Sequence, residues 1–275
     1  MKIGYLGPQG TYTEEALIKV YSPEKHEFIP FTTVSDVIEA VDKGEVDKGI
    51  VPIENSIEGS VSETLDHLAF ESEVLIEREV LLPIHHHLIG HKEATVADIK
   101  KIISHPQAFA QCRKSLRRLF REFELEPAFS TADAVRIVAN LNDKGVAAIG
   151  NAFAAMIYGL EVLVKDISDY EDNTTRFIII GKEEQPPTGY DKTSIICFIG
   201  DDRPGKLLEI LQEFSYRYIN LTKITSRPTK KKFGEYLFFI DMEGHIEENH
   251  IKAALACLKC KLPKVKFLGS YRRSL

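Results

Sequence analysis

The sequence is poor in cysteine. Its 275 residues include only four, at positions 112, 197, 257 and 260, and a chain of this length with so few cysteines does not rely on a disulfide framework. Cys257 and Cys260 have the CxxC spacing of half a zinc site or a redox pair. The sequence contains no second such pair, and the apolar residues around them follow the period of an amphipathic helix. We therefore interpret both cysteines as structural.

A dense group of possible metal ligands occurs at His85-His86-His87, with His91 nearby. The three consecutive histidines fall in a predicted strand, where successive side chains point to opposite faces. At most two of them could share a face, and this geometry does not suit a metal centre. We expect no metal site here.

Long apolar runs and an excess of positive charge are also absent. No run approaches the roughly 20 residues that a membrane-spanning helix needs, and the first residues lack the pattern of a signal peptide. The net charge is −6, which argues against a nucleic-acid or anionic-membrane partner held by bulk electrostatics. We expect a cytoplasmic protein that binds neither.

Strand and helix patterns alternate along the chain as far as residue 181. This alternation predicts an α/β architecture with mainly parallel sheets. Extended segments near residues 80–90 and 162–180 predict two crossovers between two sheet lobes, with a cleft between the lobes. The predicted catalytic or binding domain is therefore residues 1–182.

The segment 183–192 is rich in proline, glycine and charge, and it predicts a linker. Beyond it the order of elements changes to β-α-β-β-α-β, which is the order of a ferredoxin-like domain. We place this second domain at residues 193–275.

Four polar loops share one position, where a predicted strand ends and a predicted helix begins. They are Gly7–Tyr12, Glu54–Ser60, Ser104–Gln107 and Gly150-Asn151. Ligands in open α/β sheets bind beyond the carboxyl ends of the strands, and helix N-termini attract anions. Each loop alone could be only a turn or a helix cap, but the four together predict a site for a small anion. Their side-chain donors are Thr11, Asn55, Ser56, Ser104 and Gln107.

The segment Asn173-Thr174-Thr175-Arg176-Phe177 precedes an apolar, β-branched run that predicts a buried strand. An arginine at the edge of a core needs an anionic partner. Two interpretations are open. Arg176 could pair with Asp169 or Asp172 in a turn, or it could supply the positive charge of the anion site.

Five motifs together resemble those of the prephenate dehydratase family and come in that family's order. They are Gly7–Thr13 (GPQGTYT), Val51–Val61 (VPIENSIEGSV), Ser104–Ala108 (SHPQA), Ala148–Asn151 (AIGN) and Asn173–Phe177 (NTTRF). The second domain resembles the ACT domain, an amino-acid-sensing module that follows the catalytic domain in that family. No chorismate mutase segment precedes Met1, so the resemblance implies the monofunctional form.

The resemblance implies a carbon–oxygen lyase that converts prephenate to phenylpyruvate, with loss of carbon dioxide and water, on the route to phenylalanine. No metal and no organic cofactor is implied. Thr175 would donate a proton or a hydrogen bond to the leaving hydroxyl, and Glu54 is the rival acid if burial raises its pKa. Arg176 would hold a carboxylate. The other implied substrate-binding residues are Thr11, Asn55, Ser56, Ser104, His105, Gln107, Asn151 and Thr174.

The resemblance also implies feedback inhibition by L-phenylalanine, bound where the ACT domains of two subunits meet in a dimer or tetramer. The implied effector-binding residues are Pro204, Gly205, Lys206, Leu207, Leu208, Asn220 and Leu221. Thr225 stands where the family has the glutamate of a Glu-Ser-Arg-Pro motif, and Lys206 stands where it has a small residue. These departures leave the affinity and identity of the effector open.

Two other functions fit the same sequence pattern. The substrate could be arogenate in place of prephenate. The chain could also be a two-lobed sensor that binds a small anion without catalysis, because alternating elements and polar loops do not by themselves require a reaction.

Overall fold

The computed structural model describes residues 1–200, 203–230 and 234–274. Three sheets organise these residues. The first segment contributes β1 (Lys2–Leu6), α1 (Tyr12–Ile18), β2 (Glu27–Phe31), α2 (Val34–Lys43), β3 (Lys48–Asn55), β4 (Gly59–Ser60), α3 (Ser62–Phe70) and β5 (Leu75–Pro83). The second contributes β6 (His87–Gly90), a 3-10 turn (Val96–Asp98), β7 (Lys101–Ser104), α4 (Pro106–Gln111), α5 (Arg113–Leu119), β8 (Glu124–Pro127), α6 (Thr131–Leu141), β9 (Val146–Gly150), α7 (Ala152–Ile157) and β10 (Glu161–Val164). After β11 (Thr174–Gly181), the third contributes β12 (Asp191–Phe198), α8 (Lys206–Ser215), β13 (Leu221–Pro228), β14 (Tyr236–Glu243), α9 (Asn249–Lys261) and β15 (Lys264–Arg272).

The first two sheets form two lobes joined by two crossovers, as the sequence predicts. The strand order is β2-β1-β3-β11-β5 in lobe 1, with β4 paired to β3, and β10-β6-β9-β7-β8 in lobe 2. The chain passes to lobe 2 between β5 and β6 and returns between β10 and β11. The prediction of mainly parallel sheets is wrong. The strands beside the crossovers run against their neighbours, because β11 is antiparallel to β3 and β5, and β6 is antiparallel to β9 and β10.

Local sequence explains most of the elements. Helix α2 begins at a capping box, in which Thr33 and Asp36 each accept a backbone N–H from the other, and it ends at Gly44 in the left-handed conformation. Its apolar residues Val37, Ile38 and Val41 are fully or almost fully buried on the sheet.

Three elements differ from the sequence prediction. The segment after the loop Ser104–Gln107, whose sequence predicts one helix to about Phe120, forms two helices because Cys112 leaves the helical conformation (φ −114, ψ 9). The long strand expected near residues 80–90 is interrupted at the crossover between β5 and β6. Strand β8 was not expected because all four of its residues are exposed, so it lacks the apolar pattern of a buried strand.

The third sheet is ferredoxin-like and has the order β13-β14-β12-β15. Helices α8 and α9 cover one face, and the other face shares a hydrophobic core with lobe 1 that includes Ile76, Leu237 and Tyr271. Strands β5 and β15 approach so closely that a Cβ at Gly269 would lie 2.3 Å from the backbone oxygen of Ile76. The domain that contains this third sheet, which we call the third domain because the two lobes precede it, is therefore packed directly against the strands of lobe 1.

None of the helices within the described ranges combines the length and the apolar character needed to cross a membrane.

Candidate active site

A cavity of about 310 Å³ lies between the two lobes, which is at the small end of the range for small-molecule sites. It is lined by the ends of β1, β3 and β11 in lobe 1 and by residues at the start of α4 and α6 in lobe 2. Its lining includes five of the residues that the sequence predicts, namely Thr11, Asn55, His105, Gln107 and Thr175.

The N-termini of three helices lie at this cavity. Among the lining residues that the structure describes, none is a lysine or an arginine. Helices α1, α4 and α6 all begin at the cavity wall, capped by Thr11, His105 and Ser130. The free N–H groups and dipoles of helix starts favour bound anions. The cavity therefore suits a small anion, although no lysine or arginine side chain of the described residues lines it.

Sequence reasoning missed Ser130 and Thr131, which line the cavity at the start of α6. The Ser130 hydroxyl accepts the backbone N–H of Asp133 at 3.0 Å. The signal was present in the sequence, since a serine followed three residues later by an acidic residue before an apolar run marks a helix start.

Thr175 presents its hydroxyl to the cavity, and Asn55 fixes the role of that hydroxyl. The Asn55 Oδ1 accepts the backbone N–H groups of Ile57 and Glu58, both at 3.0 Å. The amide nitrogen of Asn55 therefore faces the other way and donates to Thr175 Oγ1 at 2.9 Å. Because the Thr175 oxygen accepts this bond, its own proton is available to a ligand in the cavity.

A buried hydrogen-bond network continues from Asn55 to lobe 2. Asn55 Nδ2 donates to Asn173 Oδ1 at 2.7 Å, and Asn173 Nδ2 donates to Gln111 Oε1 at 3.0 Å. The same Gln111 oxygen lies 3.0 Å from His86 Nε2, and His86 Nδ1 lies 3.0 Å from the Tyr12 hydroxyl. Tyr12, His86, Gln111 and Asn173 all line the cavity. None of these four residues is identified as a site residue from the sequence, because only the packing of the two lobes brings them close together.

Arg176 is not among the residues that line the cavity, so its position gives no support to the prediction that it binds a substrate carboxylate. Successive residues of a strand face opposite sides, and Thr175 occupies the cavity side of β11. The Arg176 guanidinium lies instead under the third domain, 2.5 Å from Asp241 and 2.8 Å from Glu79. It also donates to the Tyr271 hydroxyl at 2.7 Å. The anionic partners are thus neither Asp169 nor Asp172, and burial of the arginine is compensated across the domain contact.

Glu54 faces the same way as Arg176, and this position gives no support to its prediction as the rival acid. It pairs with Arg176 in the β3–β11 register, its Oε2 lies 3.1 Å from Lys223 Nζ, and it is not among the cavity-lining residues. Burial lowers the pKa of Lys223 despite the nearby Glu54 carboxylate. Glu54 therefore contacts the third domain.

Four other predicted residues lie behind the cavity wall rather than in its lining. The Ser56 hydroxyl donates to the Asp172 carbonyl and accepts the Thr174 N–H at 2.9 Å, which ties the turn after β3 to β11. The Ser104 hydroxyl is fully buried and donates to the Ile149 carbonyl at 2.8 Å. These contacts hold loops in place, and they use the hydroxyl protons of Ser56 and Ser104.

The other two of these four residues are Thr174 and Asn151, and Asn151 connects the lobes. Its Oδ1 caps α7 by accepting the Ala154 N–H, and its Nδ2 donates to Glu15 of lobe 1 at 3.0 Å. Burial raises the pKa of Glu15, although the bond from Asn151 opposes the increase.

A second cavity, of about 390 Å³, lies at the start of α8 in the third domain. Four of the residues predicted to bind an effector line it, namely Gly205, Lys206, Leu207 and Leu208. Pro204, Asn220 and Leu221 are not in its lining. The Lys206 ammonium donates to the Lys261 carbonyl at 3.1 Å, so the larger side chain at this position is bound to the end of α9.

Comparison with known proteins identifies the family. A family model described as prephenate dehydratase matches residues 3–185. The prephenate dehydratase of Methanocaldococcus jannaschii is 42% identical over 272 residues, covering 97% of this chain and 96% of the relative. The solved structure of the Arthrobacter aurescens prephenate dehydratase in complex with L-Phe is 40% identical, with a TM-score of 0.92 over 99% of this chain and 90% of that one.

A solved structure with a different printed activity is also similar. GqqA, described as a novel type of quorum quenching acylase, is 28% identical, with a TM-score of 0.89 over 100% of this chain and 98% of that one. GqqA therefore has the same fold, but its sequence identity to this chain is lower than that of the two prephenate dehydratases above. The family match, the full-length relatives and the cleft with Thr175 agree, and this chain belongs to the prephenate dehydratase family.

Proposed function

We propose that this protein is a carbon–oxygen lyase that converts prephenate to phenylpyruvate, carbon dioxide and water in phenylalanine biosynthesis. The observation that carries this proposal is the Thr175 hydroxyl, which lines the cavity and whose oxygen accepts a bond from Asn55, so that its proton is available to a ligand. A group held in this way can donate to an oxygen that leaves the substrate.

Formation of the aromatic ring drives the reaction. The electron pair of the bond to the ring carboxylate becomes part of the ring as carbon dioxide departs, and the ring C–O bond breaks on the opposite side. The leaving oxygen takes a proton from Thr175 and departs as water, and Thr175 regains its proton from solvent. A threonine hydroxyl is a weak acid, so its donation must be concerted with C–O cleavage in a site that excludes water.

The cavity provides both parts of the required environment. The N-termini of α1, α4 and α6 and the polar side chains of Gln107, Ser130 and Thr131 suit two carboxylates. The apolar residues Ile84, Val61 and Phe177 suit a carbocyclic ring and keep water out.

A turnover assay tests the proposal. Purified protein is incubated with prephenate, and phenylpyruvate is measured by its absorbance and by mass spectrometry. Arogenate is supplied in parallel, and phenylalanine formation from arogenate would identify that compound as the substrate. Binding of prephenate without product would instead favour the sensor. Because an acylase shares this fold, product identity must be measured directly rather than inferred from substrate loss.

We also propose that residues 193–275 form an ACT domain that regulates residues 1–182 in a cytoplasmic dimer or tetramer. The second cavity has an apolar wall that includes Leu207, Leu211 and Phe238, which suits a phenyl ring. Two ion-pair contacts connect this domain with the catalytic strands, Lys223 with Glu54 and Asp241 with Arg176. Thr175 and Asn55 are the immediate chain neighbours of Arg176 and Glu54, so a shift of the ACT domain would move the active site.

L-phenylalanine is therefore expected to inhibit turnover with a coupling of about 5–150-fold. Initial rates measured across millimolar L-phenylalanine test this, and sedimentation at the same concentrations reports the oligomeric state. An unchanged rate throughout would contradict the regulatory proposal and leave the catalytic one standing.

Gly205→Ala is expected to weaken this inhibition. Gly205 begins α8 with a φ of +87, which a side chain tolerates poorly, although a Cβ would meet no atom of the described residues within 4 Å. The loop should therefore shift and bind the effector less tightly, while the uninhibited rate stays near that of the wild type. Gly44→Ala is the matched control, because Gly44 has a φ of +75 with equal space but lies at the end of α2.

A further inference from the structure

The two crossovers between the lobes meet on one side chain of lobe 2. His86 lies on the outgoing crossover and Asn173 on the returning one. Both point at Gln111 Oε1, each from 3.0 Å. His86, Gln111 and Asn173 are only 3–4% exposed, so these polar atoms depend on one another for hydrogen bonds.

The direction of each bond between Asn55 and His86 Nε2 follows from one end of this network. Backbone N–H groups fix the Asn55 amide, so Asn55 donates to Asn173 Oδ1. Asn173 must then use its nitrogen to donate to Gln111 Oε1, and Gln111 uses its own nitrogen to donate to Glu58 at 3.1 Å. His86 Nε2 faces the same Gln111 oxygen and must carry a proton. His86 Nδ1 lies 3.0 Å from the hydroxyl of Tyr12 on α1, and that hydroxyl also donates to the His85 carbonyl at 2.7 Å.

We propose that His86 is a positioning residue for proton donation by Thr175. This inference rests on the proposed dehydratase function. His86 acts through Gln111 and Asn173, which it holds in the orientation that leaves Asn55 free to donate to Thr175. It does not touch the reacting atoms itself.

The consequence of losing the His86 donor follows from the chemistry of amides. The Gln111 oxygen would have one partner instead of two, and the Gln111 and Asn173 amides could then rotate. A rotated Asn173 presents its nitrogen to the Asn55 nitrogen, and two donors repel. The Asn55 oxygen would stay bound to the backbone N–H groups of Ile57 and Glu58, but its nitrogen would tilt away from Asn173 and from Thr175. The Thr175 hydroxyl could then turn its proton toward a protein acceptor instead of the substrate.

The experiment compares three variants at equal substrate concentrations. His86→Leu removes the donor and is expected to lower kcat by about 10–100-fold with a smaller change in KM, as is typical of a misplaced catalytic group. His86→Gln keeps an N–H donor directed at Gln111 and should recover most of the activity. His85→Leu is the matched control, because the His85 side chain is exposed and pairs with Asp166 away from the network. It should leave kcat within about twofold of the wild type.

A double-mutant cycle with Thr175→Ala distinguishes positioning from general structural support. If His86 acts through the Thr175 proton, His86→Leu should produce no further loss of kcat once Thr175 is alanine. An equal loss in both backgrounds, or an unchanged kcat in His86→Leu, would overturn the inference.

A readout that does not use activity separates this inference from the proposed function. Nitrogen NMR of protein labelled in histidine should show one imidazole, absent from His86→Gln, with a slowly exchanging proton on Nε2. A proton on Nδ1 with a bare Nε2 would refute the network even if prephenate turnover is confirmed. The expected tautomer without turnover would retain the network and refute the function. This measurement also applies if His86→Leu fails to fold.

Discussion

Replacing Thr175 with alanine is expected to lower kcat for prephenate by about 10²–10⁴, the usual contribution of a general acid. The hydroxyl is the group in the cavity that Asn55 orients as a donor, and alanine removes it without adding volume. The side chain is partly exposed to the cavity, so the fold should survive. Steady-state kinetics and circular dichroism of the purified variant measure both outcomes.

The neighbouring residue supplies the control for this substitution. The Thr174 side chain lies outside the cavity lining, so Thr174→Ala makes the same chemical change without touching the proposed donor and should alter kcat much less. Thr175→Ser keeps the hydroxyl and should retain more activity than Thr175→Ala. Wild-type kcat in Thr175→Ala would remove the hydroxyl from the mechanism.

Arg176→Met is expected to lower the free energy of unfolding by about 3–5 kcal/mol, the usual effect of breaking a buried ion pair. The substitution would leave Asp241 and Glu79 buried without the guanidinium that lies between them. Lys192 would still pair with Glu79 at 2.7 Å, so most of the loss of stability should come from the unpaired carboxylate of Asp241. Denaturant unfolding followed by circular dichroism gives the change.

Arg136→Met is the matched control for the loss of Arg176. Arg136 pairs with Asp133 at 2.6 Å, but its side chain is 48% exposed, so its removal should change stability by less than about 1 kcal/mol. Asp241→Asn should also be less harmful in the Arg176→Met background than in the wild type, because the uncompensated charge is then gone. Equal effects of Arg176→Met and Arg136→Met would show that the buried network contributes little to stability.

The effect of Arg176→Met should depend on pH. Burial alone would raise the pKa of Asp241, but Arg176 and the bond from Ser194 hold that pKa below its usual value. Stability from this group is therefore present above its unfolded pKa, about 3.9, and is lost as the pH falls through the lower folded pKa. Without Arg176, burial dominates and raises the pKa of Asp241, so the variant should be least stable relative to the wild type near neutral pH. The difference should shrink below about pH 4, and unfolding curves at several pH values measure it.

Most of the helices and strands, and the loops that line the cavity, can be recognised from the sequence. The apolar period of α2, with its capping residues and terminal glycine, depends only on neighbouring positions. The polar loops after β1, β3 and β7 were recognisable because parallel strands direct their carboxyl ends to one edge of a sheet. Motif order then indicated the family.

Which side chains enter the cleft depends on the tertiary structure. Thr175 and Arg176 are adjacent, so they must face opposite sides of β11, but both sides of this strand are buried. Phe177 and Ile179 pack in one core, and Ile178 and Ile180 pack in the core shared with the third domain. When both faces of a strand are buried, its sequence pattern does not show which face lines a cleft and which face contacts another domain. The position of the third domain therefore determines that Arg176 pairs with the buried carboxylates of Glu79 and Asp241, while the cavity is lined by the N-termini of helices.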